Sequence, residues 1–418
     1  MATTKRIVIL GAGFAGLKLA QKLNNSMYEV LVINRNNYHQ FQPLLYQVAT
    51  ARLEPTSISF PLRKVFQHSK NVRIRIAEII EVNTTTKQVF TSQGVYDYDY
   101  LVAAYGCTTN YFNNKNIEQH ALPMKSVSES LQLRNHILQT FEDVLVAPEN
   151  EIESLLNIVI VGAGPTGVEL AGALIEMKKY VLPRDYPEKD FSGLKIYLVE
   201  GSSYPLNAMS DFAKKAAEKY LKDLEVDLLK NIYVTDYDGN NATLSNGTVI
   251  STKNLIWAAG VTGNVVGGFP NECYSKGNRF KVDKLHQVIG LVDVYAIGDI
   301  AAMADESFPN GHPQLANVAN DHAVSLAKNF LRIGKNKPPK PFVFKFNGSM
   351  ATIGKRKAIV DLTRLKFKGR IAWYFWMFLH LMLILSIKNK INIFLNWMMS
   401  YFYNDSTLRV ILYPKKKI

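Results

Sequence analysis

Cysteine is nearly absent: the chain carries only Cys107 and Cys273, far apart in sequence. That excludes a CxxC redox pair, a zinc spacing and a disulfide framework. Redox chemistry must then rest on a bound cofactor, and the expected compartment is reducing, hence cytoplasmic. No metal site is expected. The opening MATTKRIVILGAG has only a short apolar run before a glycine turn and reads as no secretory signal. No low-complexity linker interrupts the chain, so interlocked domains are expected. Acidic residues are scarce at the C-terminal end. From Phe346 onward thirteen Lys/Arg, including Lys415, Lys416 and Lys417, face only Asp361 and Asp405, which places +11 of the net +14 there. A basic tail can serve nucleic acid or an anionic membrane surface. Its aromatics come as a block and not interleaved with the charges, so nucleic acid is excluded as a partner.

What the chain does have is two glycine turns of one kind. Residues 5–17 read KRIVILGAGFAGL and residues 157–170 read NIVIVGAGPTGVEL. Each is a continuous apolar strand, as expected of a parallel strand buried on both faces, followed by G-x-G-x-x-G and a helix. The first glycine makes the turn, the second lets a pyrophosphate approach the backbone, and the third lets helix and strand pack closely. The phosphate then sits on the positive helix N-terminus. Gly11, Gly13, Phe14, Ala15 and Gly16 form the first cradle, and Gly162, Gly164, Pro165, Thr166 and Gly167 the second.

Further strands are predicted over 28–36, 72–83, 95–106, 194–201 and 253–260, with helices near 126–145, 210–222 and 314–332. The second cradle helix is predicted to run to about Tyr180. The segment VDVYAIGDIAAM (292–303) predicts strand, turn and helix start. This alternation argues for doubly wound α/β units. The fold class is therefore α/β, with two Rossmann-like dinucleotide-binding domains and a C-terminal membrane-associated helical region.

The residues ending the second strand of each unit differ. Glu200 closes IYLVE, the position of an acid that accepts from a ribose 2′-hydroxyl and repels a 2′-phosphate, which favours NADH over NADPH. The insertion PRDYPEKDFSG accounts for its long spacing from Gly167. The first unit has Asn34 there, then Arg35; an amide can still bind a ribose hydroxyl, without charge. Asp299, after Gly298, would place a carboxylate near a helix N-terminus and the ribityl chain of a flavin, although an N-cap Asp would look the same.

With these pieces in view, the chain resembles the type II NADH:quinone oxidoreductases, flavoproteins with a glutathione-reductase-like arrangement. The resemblance rests on GAGFAGL, NRNNYHQFQPLLYQVAT, VGAGPTGVELAGAL, LIWAAGVTGN, VYAIGDIA and GSMATIGKRKAIVDL, and it runs on through WMFLHL. It implies FAD in the first unit and NADH in the second, ring to ring, with electrons passing to a membrane quinone and no proton pumping. It implies FAD contacts at Gly11, Gly13, Phe14, Ala15, Gly16, Asn34, Arg35, Ile79, Gly106, Asp299, Ala316 and Asn317. NADH contacts fall at Gly162, Gly164, Pro165, Thr166, Gly167, Glu200 and Gly260. Glu169 matches the glutamate beside the nicotinamide–flavin junction, its alternative being an acid that complements the helix dipole. The implied domains are 1–115 and 265–345 for FAD, 116–264 for NADH, and 346–418 as membrane anchor.

The chain departs from the family at the quinone side. Where the family reads Ala-Gln-x-Ala-x-Gln, this chain reads Ala316-Asn317-Val318-Ala319-Asn320-Asp321. Asn317 is one methylene short, and Asp321 replaces a neutral donor and acceptor by an acid. Asp321 could relay protons with His322, or the two could be an ordinary solvated helix pair. Tyr105 stands where the family has Thr. In the tail, 371–387 is apolar but shorter than the ~20 residues a crossing helix needs. From 389 on, Asn389, Asn392, Asn396 and Ser400 alternate with Ile391, Phe394, Leu395, Met398 and Phe402, which suggests a helix lying in the membrane interface. A buried core helix or a homodimer contact would give the same pattern. The expectation is a peripheral protein on the cytoplasmic face of a bacterial membrane. The alternatives are an NADH-dependent flavoprotein with a non-quinone acceptor, and a flavin-bound redox-responsive membrane protein with little turnover.

Overall fold

The computed structural model describes residues 4–403 and 408–412. Asp405 and Lys415–Lys417 of the tail's charge balance lie outside the described residues. The chain divides into two compact units. Met1–Gln40, Phe60–Thr108 and Val261–Lys345 form the first, and Phe41–Ser59, Thr109–Gly260 and Phe346–Ile418 the second.

The first unit is built on a parallel sheet with strand order Val294–Ala296, Tyr100–Ala103, Arg6–Leu10, Glu29–Asn34, Val72–Ile76. Ile7, Val8, Ile9 and Leu10 are all fully buried, which is why the opening strand is apolar without alternation. Helix Phe14–Leu23 starts at Gly13 and turns Ala15, Leu19, Ala20 and Leu23 inward. It packs on helix Ala316–Ile333, and Tyr28, Tyr100 and Phe330 fill the space beside them. Burying a side chain such as Phe330 contributes about 1.5–3 kcal/mol. Tyr28 Oη donates to the Phe330 carbonyl at 2.7 Å, so the polar end of that cluster is satisfied.

The second unit repeats the plan. Its parallel sheet runs Leu122–Pro123, Asn254–Trp257, Asn157–Val161, Lys195–Glu200, Asp227–Lys230. Helix Val127–Val146 opens with a capping box: the Glu129 amide donates to Ser126 Oγ at 3.2 Å, and the Ser126 amide donates to Glu129 Oε2 at 2.8 Å. Parallel Rossmann-like sheets in both units bear out the α/β expectation. After the second sheet, an antiparallel sheet of Gly348–Thr352, Ala358–Leu362 and Lys366–Lys368 leads into helices Arg370–Leu383 and Ile387–Tyr403.

Two local expectations are corrected. The second cradle helix is regular only to Glu176, and Met177–Val181 is a π-helical turn leading into Leu182–Asp185. The segment after Val294–Ala296 begins no helix: Gly298–Ile300 is a single 3₁₀ turn, followed by strand Ala301–Met303. The apolar run 371–387 is not one helix, because Ile384, Leu385 and Ser386 break it. Among the described residues no helix is long and apolar enough to cross a membrane.

The two C-terminal helices turn two tryptophans inward and other apolar side chains out. Trp376 and Trp397 are buried 5.8 Å apart, centroid to centroid, while Ile371, Phe378, Ile391, Phe394 and Phe402 are exposed. Asn389 Nδ2 donates to the carbonyls of Thr56 at 3.2 Å and Ser59 at 3.4 Å. That amide therefore faces the protein, and the outward face is the apolar one.

Candidate functional site

In the first cradle Gly11 has φ +101°, and a Cβ there would stand 2.6 Å from the Ala104 carbonyl oxygen. A Cβ on Gly16 would stand 2.0 Å from the Gly11 oxygen. Both positions are closed to any side chain. Gly13 differs, since a Cβ there meets no protein atom within 4 Å. The middle glycine thus keeps side-chain atoms away from the mouth of the turn, where a pyrophosphate belongs. No side chain caps the helix at Gly13. The first-turn amides therefore suit an anion.

The second cradle repeats this atom for atom. Gly162 has φ +99° and its Cβ would meet the Ala258 oxygen at 2.8 Å. A Cβ on Gly167 would meet the Gly162 oxygen at 1.9 Å, and Gly164 meets nothing within 4 Å. Pro165 opens the helix, where its missing N–H costs nothing. Both cradles fit a dinucleotide by this test.

The strand-end residues brace the turns. Asn34 Oδ1 accepts from the Ala12 amide at 2.9 Å, and its Nδ2 donates to Asn36 O at 2.6 Å. Glu200 Oε2 accepts from the Ala163 amide at 2.7 Å, while Oε1 takes the Ser202 amide at 2.8 Å and hydroxyl at 2.7 Å. His39, which sequence reasoning passed over, is buried with Nδ1 3.0 Å from the Ala12 carbonyl, and burial lowers its pKa. Arg35 is exposed, and Ile79 is half-buried against the unit's second core. Gly106 has φ +67°, and its carbonyl accepts from the Asn264 side chain at 3.3 Å. Gly260 has φ +79° and lies under Phe112, 3.3 Å from its Cβ position.

Asp299 sits in the Gly298–Ile300 turn. Gly298, at φ +73°, would bring a Cβ to 2.9 Å from Ala15 Cβ and 3.4 Å from Ala319 Cβ. The turn is therefore wedged between the cradle helix and helix Ala316–Ile333, so the helix N-terminus expected beside Asp299 comes from a later segment. Ala316 opens that helix, and Asn317 and Asp321 are exposed one turn apart on it. His322 points the other way. It is buried, and its ring nitrogens lie against His312 and Gly298, so the Asp321–His322 relay is not formed.

In the second unit the structure gathers residues around Glu169. This side chain is 8% exposed, on the second turn of helix Pro165–Glu176 and so past the first turn where an acid would complement the helix dipole, and the Thr352 amide donates to it at 3.3 Å. Burial pushes its pKa up to about 8, against that hydrogen bond. The helix is locked in place because a Cβ on Gly172 would stand 2.5 Å from Gly354 N. A buried hydrogen-bond run continues from Thr352 Oγ1 to Tyr46 Oη at 3.1 Å. Gln47 Nε2 donates to that phenol oxygen at 2.9 Å, and Trp397 Nε1 donates to Gln47 Oε1 at 2.8 Å. Arg52 pairs with Glu176, which also takes the Lys355 amide. Tyr46, Arg52, Glu169, Lys355, Trp376 and Trp397 line a cleft of about 590 Å³, open solvent at its mouth included. A neutral carboxyl at the base of an aromatic cleft can hold and release a proton. The signal sequence reasoning missed was the polar pair Tyr46-Gln47 inside an otherwise apolar run.

The family model for pyridine nucleotide-disulphide oxidoreductases matches residues 5–323, and that for the NDH2 C-terminal domain matches residues 346–404. The type II NADH:quinone oxidoreductase Ndh of Mycobacterium tuberculosis is 32% identical over 95% of this chain and 88% of its own length. The external NADH-ubiquinone oxidoreductase 2 of Saccharomyces cerevisiae mitochondria is 29% identical over 95% of this chain and 81% of its own. The solved NDH2 of Plasmodium falciparum in complex with NADH superposes with a TM-score of 0.89 over 98% of this chain and all of that one, at 22% identity, which speaks to the fold. Twin glycine cradles, a buried glutamate and a C-terminal helical segment thus occur together in a chain that belongs to the type II NADH:quinone oxidoreductases of the pyridine nucleotide-disulphide oxidoreductase superfamily.

Proposed function

We propose that the chain takes a hydride from NADH and delivers the electrons to a membrane quinone through bound FAD, without moving protons across the membrane. FAD, when bound, supplies the two-electron carrier between the two substrates. The carrying observation is the paired cradle, with a neutral amide at Asn34 in one copy and a carboxylate at Glu200 in the other. Residues 1–115 and 265–345 hold FAD and residues 116–264 hold NADH in this reading, in a glutathione-reductase-like arrangement. Gly11, Gly13, Phe14, Ala15 and Gly16 receive the FAD pyrophosphate, and Asp299 the ribityl chain. Asn34, Arg35, Ile79, Gly106, Ala316 and Asn317 complete that site.

Gly162, Gly164, Pro165, Thr166, Gly167 and Gly260 hold NADH, and Glu200 disfavours a 2′-phosphate by charge. The overall reaction consumes NADH, one proton and quinone and yields NAD⁺ and quinol. Glu169 keeps a proton at its carboxyl near neutral pH, as burial requires. Quinone arrives from lipid at residues 346–418, whose exposed Ile371, Phe378, Phe394 and Phe402 enter the interface while Lys and Arg meet anionic headgroups. This makes the protein peripheral, on the cytoplasmic face of a bacterial membrane. A homodimer would compete for the same apolar face.

The purified protein with anionic liposomes tests the reading. A flavin spectrum, bleaching by NADH and reoxidation by a short-chain quinone are expected, with flotation on the liposomes. Colourless protein that no FAD reconstitutes would overturn it. A second reading, a non-quinone acceptor, draws on Asp321 standing where the family has Gln; it predicts bleaching without quinone reoxidation.

A further inference from the structure

Three histidines of the first unit, His286, His312 and His322, come from three separate segments and are all buried. Asp305 Oδ2 lies 2.9 Å from His312 Nε2, and His312 Nδ1 lies 3.2 Å from His322 Nε2. His322 Nδ1 accepts from the Gly298 amide at 3.4 Å, the longest link. His286 and Phe342 cover the rings, with centroids 5.0 Å from His322 in both cases.

The chemistry of the links fixes every proton. A backbone amide only donates, so His322 Nδ1 must accept. Burial and the neighbouring imidazoles hold His322 neutral, so its one N–H is on Nε2 and points at His312 Nδ1. His312 then carries its own N–H on Nε2, directed at the Asp305 carboxylate. Asp305 is kept below its usual pKa because these hydrogen bonds outweigh the opposing effect of burial. The Gly298 amide thus selects one tautomer in each of two buried rings, and the Asp305 carboxylate accepts the proton they direct outward.

The far end of the chain is the turn that carries Asp299. Its carbonyl is held from the opposite side by Arg279 Nε at 3.1 Å, Gln314 Nε2 at 3.1 Å and Cys107 Sγ at 3.3 Å. Arg279 also donates to the carbonyls of Ala301 at 2.6 Å and His312 at 2.9 Å, which ties the two anchors together.

We propose that Asp305, His312 and His322 are positioning residues for flavin binding, a carboxylate-anchored imidazole chain that orients the Gly298–Asp299 turn through the Gly298 amide. The inference rests on FAD occupying the first cradle. The chain ends on an amide, which has no proton to give up at neutral pH, so its work is orientation and not proton delivery.

The test begins with the FAD-loaded full-length protein labelled with ¹⁵N-histidine. His312 and His322 should each show a single tautomer protonated at Nε2. Flavin fluorescence on FAD-stripped protein then measures affinity. His322→Leu should weaken FAD binding by about tenfold or more. His322→Asn, whose Oδ1 can take the Gly298 N–H, should restore it to within about threefold. A proton on His322 Nδ1, or a folded His322→Leu protein with unchanged FAD affinity, would overturn the inference. If His322→Leu does not fold, the wild-type spectrum alone decides. Wild-type protein that binds no FAD would instead defeat the functional reading on which the inference stands.

Discussion

The two cradles share a backbone, and two of their side-chain differences set them apart chemically. Gly11 N donates to Ile33 O and Gly162 N to Val199 O, both at 2.8 Å. The next amide in each case donates to the residue ending the second strand, Asn34 or Glu200. The turn needs only an acceptor there, and either an amide or a carboxylate supplies it. The negative charge of Glu200 is therefore surplus to folding and available for discriminating between nucleotides. The second difference falls two residues past the third glycine. Lys18 is half-exposed in the first helix, whereas Glu169 is buried in the second. In the proposed reading one copy retains a ligand and the other chooses one and manages a proton.

The largest effect that could break this comparison comes from the glycines. Gly16→Ala and Gly167→Ala each drive a methyl group into a carbonyl oxygen. Each should cost on the order of 3 kcal/mol or more in chemical denaturation. Gly13→Ala meets no protein atom. It should stay within about 1 kcal/mol of wild type yet lose FAD, as retained flavin absorbance would report. A Gly13→Ala protein that keeps its flavin would mean the mouth of the turn is not the pyrophosphate site.

Glu169 should give the next largest effect. The folded carboxyl holds its proton to about pH 8, whereas a carboxyl with an ordinary value of 4.5 releases it much earlier. Unfolding between those values releases a proton, so wild-type stability falls as pH rises through that window and is level on either side. Glu169→Gln abolishes the slope. Its stability relative to wild type should therefore grow by a few kcal/mol from about pH 5 to about pH 8. Parallel pH profiles for the two proteins would show that Glu169 ionises normally.

Glu200→Gln removes the charge and keeps one acceptor oxygen, enough for the Ala163 amide, while its Nε2 can only donate, so the Ser202 amide loses its acceptor. The NADH over NADPH preference in kcat/KM should fall about tenfold, with the fold unchanged. Asp321→Gln is the smallest change. Quinone turnover should rise by roughly two- to fivefold if a neutral amide is the better neighbour for the acceptor. No gain, or a loss, would favour the non-quinone reading.

The cradles were legible in the sequence because a glycine fingerprint is a local demand of the backbone. Gly11 and Gly162 need positive φ, and no distant residue alters that. The buried strands were legible for a related reason: Ile7 to Leu10 and Ile158 to Val161 are apolar without alternation. The Gly298–Asp299 turn was read correctly as a turn but assigned a helix that does not follow it. The real helix begins at Ala316, and only folding brings Ala319 beside Gly298. His322 was read with Asp321, its neighbour in sequence. Successive residues on a helix point in directions about 100° apart, so the buried ring found His312 instead. Tyr46, Gln47 and Trp397 were missed for a simpler reason: some 350 residues separate Gln47 from the indole that binds it. Pattern reading sees spacing along the chain, and this cleft is assembled across it.

The outward apolar row on the last two helices also bears on how the molecule should behave at the bench. Ile371, Phe378, Ile391, Phe394 and Phe402 leave a large apolar area facing solvent. If that face meets lipid, as proposed, plain buffer leaves it bare, and apparent mass should climb with concentration. On that reading a detergent micelle or a lipid patch is the final piece of the tertiary structure.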